Sequence, residues 1–154
     1  MFVPLHKFNE DQRLWFGKLM VEAIKTDGDV EREEVTLLLM TIEFLTARQK
    51  KLIAEIFKIK GSMPGLHNIP KGITDRHLID IYCQLVVVVA ADSDFSSTEH
   101  AFLAQVREWF LFTPEMIVKL TDWSENMTKV IADRHEMILI QDAITAANQE
   151  KKKK

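Results

Sequence analysis

The stretch LIDIYCQLVVVVAADSDFSSTE, residues 78–99, decides the fold of this chain. Its first fourteen residues are apolar apart from Asp80 and Gln84, and Thr74 precedes them as a potential helix cap. The segment Val86–Val89 has high β propensity, so a strand is the alternative. The length of the run and its smooth junction with the cap favour one central helix that is apolar on nearly all sides.

The same stretch closes with an acidic turn, Asp92–Glu99 (DSDFSSTE), which opens the next amphipathic segment. An earlier octapeptide, Asp27–Glu34 (DGDVEREE), has the same form, Asp-x-Asp-apolar-x-x-x-Glu, 65 residues upstream. One such stretch would be read as an acidic turn. Two of them in corresponding settings indicate a duplicated unit.

Capping signals and the helical spacing of apolar residues predict an all-α, single-domain bundle of six or seven helices. Helix starts are indicated at Asn9, Thr74, Ser96 and Thr113. The helix-breaking residues concentrate in residues 61–73, which hold three of the five glycines and two of the four prolines. We expect an N-terminal arm at 1–8, a helical domain at 9–148 and a disordered basic tail at 149–154. Within the domain, loop 61–73 joins two units at about 9–60 and 74–112. The last helical segment is expected to break near Trp123-Ser124.

The charge distribution is uneven along the chain. The formal net charge is −3, but the four terminal lysines conceal a more acidic body, since residues 1–150 carry 23 acids and 16 bases. Such a body is a poor partner for nucleic acid, whose binding depends on neutralising phosphates. The single cysteine, Cys83, excludes an internal disulfide and a cysteine zinc cluster, and its apolar neighbours predict an inert buried thiol. With no signal peptide and no long apolar run, we expect a cytoplasmic protein that is not itself transmembrane.

The second acidic turn has an explanation that needs no ligand. Ser96 and Glu99 have the spacing of a capping box, which stabilises a helix start by about 1 kcal/mol. In the first turn the position that matches Ser96 holds Glu31, a weak cap, yet both aspartates and the final glutamate are present. A cap does not require two aspartates at i and i+2, so the first turn favours another role for the carboxylates.

Aspartates at i and i+2 suit a loop that directs successive oxygens at a hard cation. The turns are not EF-hands, because the glutamate comes at position 8 rather than 12 and no glycine stands at position 6. Oxygen ligands favour Ca²⁺, with Mg²⁺ and Mn²⁺ as alternatives, and His100 is expected at the surface rather than among the ligands. If the two turns approach each other, the predicted metal ligands on one face are Asp27, Asp29, Glu34, Asp92, Asp94 and Glu99, with Glu22 as an additional candidate.

The two motifs also resemble a known family. They are similar to the duplicated signature of the tellurite-resistance TerB-like family, and the resemblance covers roughly residues 10–147. The motifs are Ala-Ile-x-x-Asp27-Gly28-Asp-Val-x-x-x-Glu34 and Val-Ala-Ala-Asp92-x-Asp-Phe-x-x-x-Glu99. The resemblance implies an all-helical fold of two related units, with acidic residues of both gathered in a proposed divalent-metal site. Carried over by position, Asp27, Glu34, Asp92 and Glu99 are the first candidates, and Ser93 departs from the glycine seen at Gly28.

The resemblance further implies a role in resistance to tellurite and other stresses, alongside membrane-bound and cytoplasmic partners, and it establishes no reaction. We therefore expect a stress-response module that binds a divalent metal and acts as an adaptor, not an enzyme. Its expected place is the cytoplasm or the periphery of the inner membrane face, with protein partners that include a membrane-associated complex and no nucleic acid. Two alternatives stay open: a metal-independent module whose carboxylates recognise a basic partner, and a metal-dependent hydrolase, disfavoured because no separate acid, base or nucleophile stands out.

Overall fold

The computed structural model describes the backbone at residues 1–26, 28, 32–91 and 96–154, without the side chains of residues 32–34, 37 and 41. Its regular segments in these ranges are all helical, which confirms the predicted fold class. After a short 3₁₀ turn at Leu5–Lys7, six helices follow: α1 (Glu10–Lys25), α2 (Arg32–Ile42), α3 (Ala47–Phe57), α4 (Asp75–Val89), α5 (Ser97–Trp109) and α6 (Pro114–Lys152).

Most helix starts are fixed by local caps. Asn9, Thr46, Thr74 and Ser96 each accept a hydrogen bond from the backbone three residues on, and the side chain at that third position bonds back. Thr113 caps α6, with proline at the first helical position. The starts predicted for α1, α4, α5 and α6 are therefore confirmed, because a cap depends only on neighbouring residues.

Helices α1 and α4 form the centre of the bundle. Helix α1 contacts α2, α3 and α4, while α4 also contacts α2, α5 and α6. The buried side chains of both helices belong to one hydrophobic core. Within α4, Val86, Val88 and Val89 are fully buried in helical backbone, so helix rather than strand is the confirmed reading of the valine run. Burial of the surrounding apolar faces outweighs the modest β preference of valine.

Two polar side chains hold the N-terminal arm and the long loop against this core. Gln84, which interrupts the apolar run, accepts a hydrogen bond from the backbone N–H of Phe2 at 3.1 Å. The indole of Trp15 donates to the carbonyl of Leu66 at 2.9 Å. Each bond satisfies a side chain that would otherwise be buried without a partner. The loop that follows α3 is thereby fixed beside α1, where it helps to form the site described below.

Gly17 allows α3 to approach α1 closely. A Cβ added at this position would lie 3.3 Å from Cδ1 of Ile53 and 3.6 Å from Cδ1 of Leu45. The distance to Ile53 is tighter than most Cβ contacts, so a side chain at this position would require Ile53 to shift. The position of α3 matters for the site because the loop that follows it reaches the end of α1.

Helix α6 differs from its sequence-based prediction. We expected a break near Trp123-Ser124, and this prediction was wrong, because one helix runs from Pro114 to Lys152. The hydroxyl of Ser124 donates to the carbonyl of Leu120 at 2.6 Å, which accommodates the serine inside the helix. The helix also enters the segment 149–154 that we expected to be disordered; lysines are good helix formers and are favoured at a helix C-terminus. Among the described helices, none combines the length and hydrophobicity needed to cross a membrane.

Candidate metal site

The end of α1 carries the first acidic turn. Thr26, the residue before Asp27, donates from its hydroxyl to the carbonyl of Glu22 at 2.7 Å. The N–H of Gly28 donates to the carbonyl of Lys25 at 3.2 Å, and Gly28 has φ +85°. Glycine adopts this left-handed conformation without the steric penalty of a Cβ, which explains its place directly after the first aspartate.

Lys25 and Glu22 bind the segment after α3 to the end of α1. The ammonium of Lys25 donates to the carbonyls of Ile56 and Gly61, each at 3.4 Å, and to that of Ile59. Oε2 of Glu22 accepts a hydrogen bond from the backbone N–H of Met63 at 3.3 Å. The positive charge of Lys25 therefore lies among carbonyl oxygens near the C-terminal end of α3, where the helix dipole favours a cation.

The start of α5 carries the second acidic turn. Oε2 of Glu99 accepts from the backbone N–H of Ser96 at 2.7 Å, and the N–H of Glu99 donates to Oγ of Ser96 at 3.2 Å. The capping box predicted from sequence is therefore present. Glu99 is also 0% exposed, which is unusual for a carboxylate and requires strong local compensation.

One cleft of about 710 Å³ brings the flanks of both turns together. Thr26, directly before the first turn's Asp27, and Thr98, directly before Glu99, both belong to its wall. The cleft is lined by Glu22, Lys25 and Thr26 of the α1 end, Gly61 and Ser62 of the loop, and Thr98, Ala101, Phe102, Ala104, Gln105 and Glu108 of α5. Hydroxyl, amide and carboxylate oxygens are among the groups that line it. This is the donor chemistry that Ca²⁺, Mg²⁺ and Mn²⁺ prefer.

The predicted ligands divide into two groups. Glu22 lines the cleft, whereas Glu99 is fully buried near the start of α5 and does not line it. Asp27, Asp29, Asp92 and Asp94 lie outside the described residues, as does the side chain of Glu34. Within the described part of the chain no group of three or more His, Cys, Asp or Glu side chains is arranged to hold a metal ion. The full six-carboxylate set therefore stays a prediction.

Two charged residues that line the cleft, Lys25 and Glu108, were not anticipated from the sequence. Glu108 shares the face of α5 that includes Thr98, Ala101 and Gln105, and this spacing of three and four residues was available once the Ser96 cap fixed the helix. Lys25 lines the cleft, and its ammonium contacts residues that are more than thirty positions away in the sequence. No local sequence pattern predicts such contacts.

Cys83 and His100 stand outside this site. His100 is exposed, as we expected for a surface histidine. Cys83 is half-buried, and burial, reinforced by the negative charge of Asp80, raises the pKa of its thiol to about 11. Since the nucleophilic form of cysteine is the thiolate, this thiol stays protonated and inert at neutral pH.

A family model described as "Tellurite resistance protein TerB" matches residues 14–121 of the chain. The match spans both acidic turns and every residue that lines the cleft, and it ends within α6. Neither a curated protein nor a solved structure matches the chain significantly.

Proposed function

This chain belongs to the tellurite resistance protein TerB family, and we propose that it acts as a binding module whose two acidic turns together hold a divalent cation. Ca²⁺ is the first candidate, with Mg²⁺ and Mn²⁺ as alternatives. Tellurite resistance is the association of the family, and the cation, its ligands and the adaptor role are what we propose beyond it.

The observation that carries the proposal is the convergence of Thr26 and Thr98 on one cleft. These residues immediately precede the first carboxylate of one turn and the last carboxylate of the other. A cation between the turns would offset the electrostatic repulsion among clustered carboxylates. Because Lys25 is engaged by backbone carbonyls, its ammonium is a poor substitute for that cation.

The buried carboxylate of Glu99 is compatible with both a cap and a ligand. An ionised carboxylate offers about four lone-pair sites, so accepting the N–H of Ser96 does not use its full capacity. Its complete burial is consistent with either role.

In this proposal the face that holds the cation also binds a protein partner in a stress-response assembly. No catalytic step is involved. The chain would act in the cytoplasm or at the inner face of the membrane, on a membrane-associated partner. The cation would order the two turns relative to each other, so that partner binding depends on the metal.

A second candidate is a metal-independent interaction module. It is favoured by the complete capping box, which explains both Ser96 and Glu99 without any ligand. In that case the carboxylates would recognise a basic partner directly, and divalent ions would leave the stability of the protein unchanged.

The variant Glu99→Gln separates the two candidates. Glutamine already serves at the third position of the caps that begin at Asn9 and Thr46, so it can keep the hydrogen bond to Ser96 while losing the charge. We expect cation-free stability within about 1 kcal/mol of the native protein, as for a conserved cap, and at least a tenfold (~1.4 kcal/mol) loss in Ca²⁺ affinity. Urea denaturation and calorimetric titration provide the two measurements.

The matched control is Ser96→Ala, which removes the cap hydroxyl and keeps the carboxylate. It should lower stability by about 1 kcal/mol and leave the Ca²⁺ affinity within about threefold, a difference of under 1 kcal/mol. Native Ca²⁺ affinity in Glu99→Gln would remove Glu99 from the ligand set and favour the metal-independent module.

A further inference from the structure

The second half of α6 extends beyond the bundle and exposes large apolar side chains. Leu120, near the beginning of α6, is buried against the core, whereas almost every residue from Asp133 onward is exposed. From residue 130 onward, five large apolar side chains are between 49% and 62% exposed: Val130, Met137, Leu139, Ile140 and Ile144. A concentration of exposed large apolar side chains on one helix is typical of an interaction surface.

The exposed residues follow the spacing of a coiled coil. Val130, Met137 and Ile144 recur every seventh residue, and Ile140 and Ala147 occupy the intervening positions three residues after Met137 and Ile144. These five residues form one stripe, which we call the α6 seam. A seam with this period packs against a second helix with the same period. The segment from Lys129 to Glu150 gives a seam about 33 Å long, at 1.5 Å per residue.

We propose that the α6 seam binds the α6 seam of a second copy of this chain, with the two helices antiparallel. In this register Met137 packs beside Ile140 of the second copy, and Val130 beside Ala147. The charges that flank the seam are then complementary at both ends, since Lys129 of each copy faces Glu150 of the other. Flanking charges of this kind set partner choice and orientation in coiled coils.

A parallel pair is disfavoured by the same residues. It would place Asp133 against Asp133 and Lys151 against Lys151 in the seam positions, and four terminal lysines beside four lysines. Like charges directly opposed are destabilising, whereas the antiparallel pair separates them along the helix. In the antiparallel register Asp133 lies beside Ile144 of the second copy. A single polar residue in a seam fixes register at a cost in stability.

The α6 seam is separate from the cation site. The family match ends at residue 121, so the α6 seam lies in the part of the chain that the family model does not cover. The cleft is formed by α1, α5 and the loop after α3. Dimerisation through α6 and cation binding in the cleft can therefore each hold or fail alone.

Charge reversal with sedimentation equilibrium tests the proposal on the full chain. The native protein should show a concentration-dependent monomer–dimer equilibrium. Lys129→Glu alone and Glu150→Lys alone should each weaken the dimer at least tenfold, because each creates two like-charge contacts. The double variant Lys129→Glu/Glu150→Lys should restore native affinity, and an equimolar mixture of the two single variants should form heterodimers.

Two further variants sharpen the test. Met137→Asp should abolish the dimer, and Asp133→Leu should strengthen it at least tenfold. These side chains are exposed, so circular dichroism should show an intact fold in every case. A native protein that stays monomeric to millimolar concentration overturns the proposal, as does a dimer that the single charge reversals leave unchanged. Monomeric native protein bound to vesicles of phosphatidylserine and phosphatidylcholine would instead assign the seam to a lipid surface.

Discussion

Replacing Tyr82 with alanine is expected to destabilise the protein by about 3–5 kcal/mol, the largest single-residue effect that we predict. Tyr82 is 0% exposed in α4 and lies against the ring of Phe112 in an edge-to-face contact at 5.9 Å. Its hydroxyl accepts a hydrogen bond from Nη1 of Arg107 at 2.8 Å. Truncation removes the aromatic packing and leaves the guanidinium without this acceptor. Urea denaturation followed by circular dichroism measures the loss.

The variant Tyr82→Phe is the matched control. It keeps the ring and removes only the hydrogen bond to Arg107, so we expect a loss of about 1.5 kcal/mol. The difference between the two variants reports packing alone. A loss below 1 kcal/mol on complete truncation to alanine would contradict the position of α4 at the centre of the bundle.

Divalent cation is expected to raise the thermal midpoint of the native protein. A ligand that binds only the folded state adds about 2.7 kcal/mol at 100 times its Kd, which corresponds to about 5–10 °C for a domain of this size. Excess chelator should return the midpoint to its cation-free value. Differential scanning calorimetry with Ca²⁺, Mg²⁺ and Mn²⁺ in separate runs ranks the ions.

The double variant Asp27→Asn/Asp92→Asn should show no such rise, because one ligand from each turn has lost its charge. Asp122→Asn is the control: this carboxylate is exposed on α6, away from the cleft, so the variant should respond to cation as the native protein does. A native midpoint that no divalent ion moves would refute the metal site. So would an equal rise in the double variant.

The fold was predictable where local chemistry determines it. The capping residues Asn9, Thr74, Ser96 and Thr113 fix helix starts through bonds to their own neighbours, and all four are confirmed. The predicted break near Trp123-Ser124 was wrong, because α6 is continuous there. No glycine or proline follows Pro114, and a serine that bonds back to the preceding turn remains helical.

Glu22, one of the predicted ligands, lines the cleft, whereas the other residues that line it were not predicted. The repeat of the two acidic turns identified Glu99, and Glu22 followed from its place on α1. The contacts of Lys25 with the loop after α3 join residues 31 to 36 positions apart. Such contacts depend on the packing of α3 against α1, which the close approach at Gly17 permits. Nothing in the local pattern specifies that packing.

The central claim is that the two acidic turns form one cation site, and isothermal titration calorimetry of single-turn variants tests it most directly. Ca²⁺ is titrated into the native protein, Asp27→Asn and Asp92→Asn. We predict one binding event in the native protein and at least a tenfold loss of affinity (~1.4 kcal/mol) in each variant, because each turn supplies ligands to the same ion. Native binding that persists unchanged after either substitution would contradict a composite site.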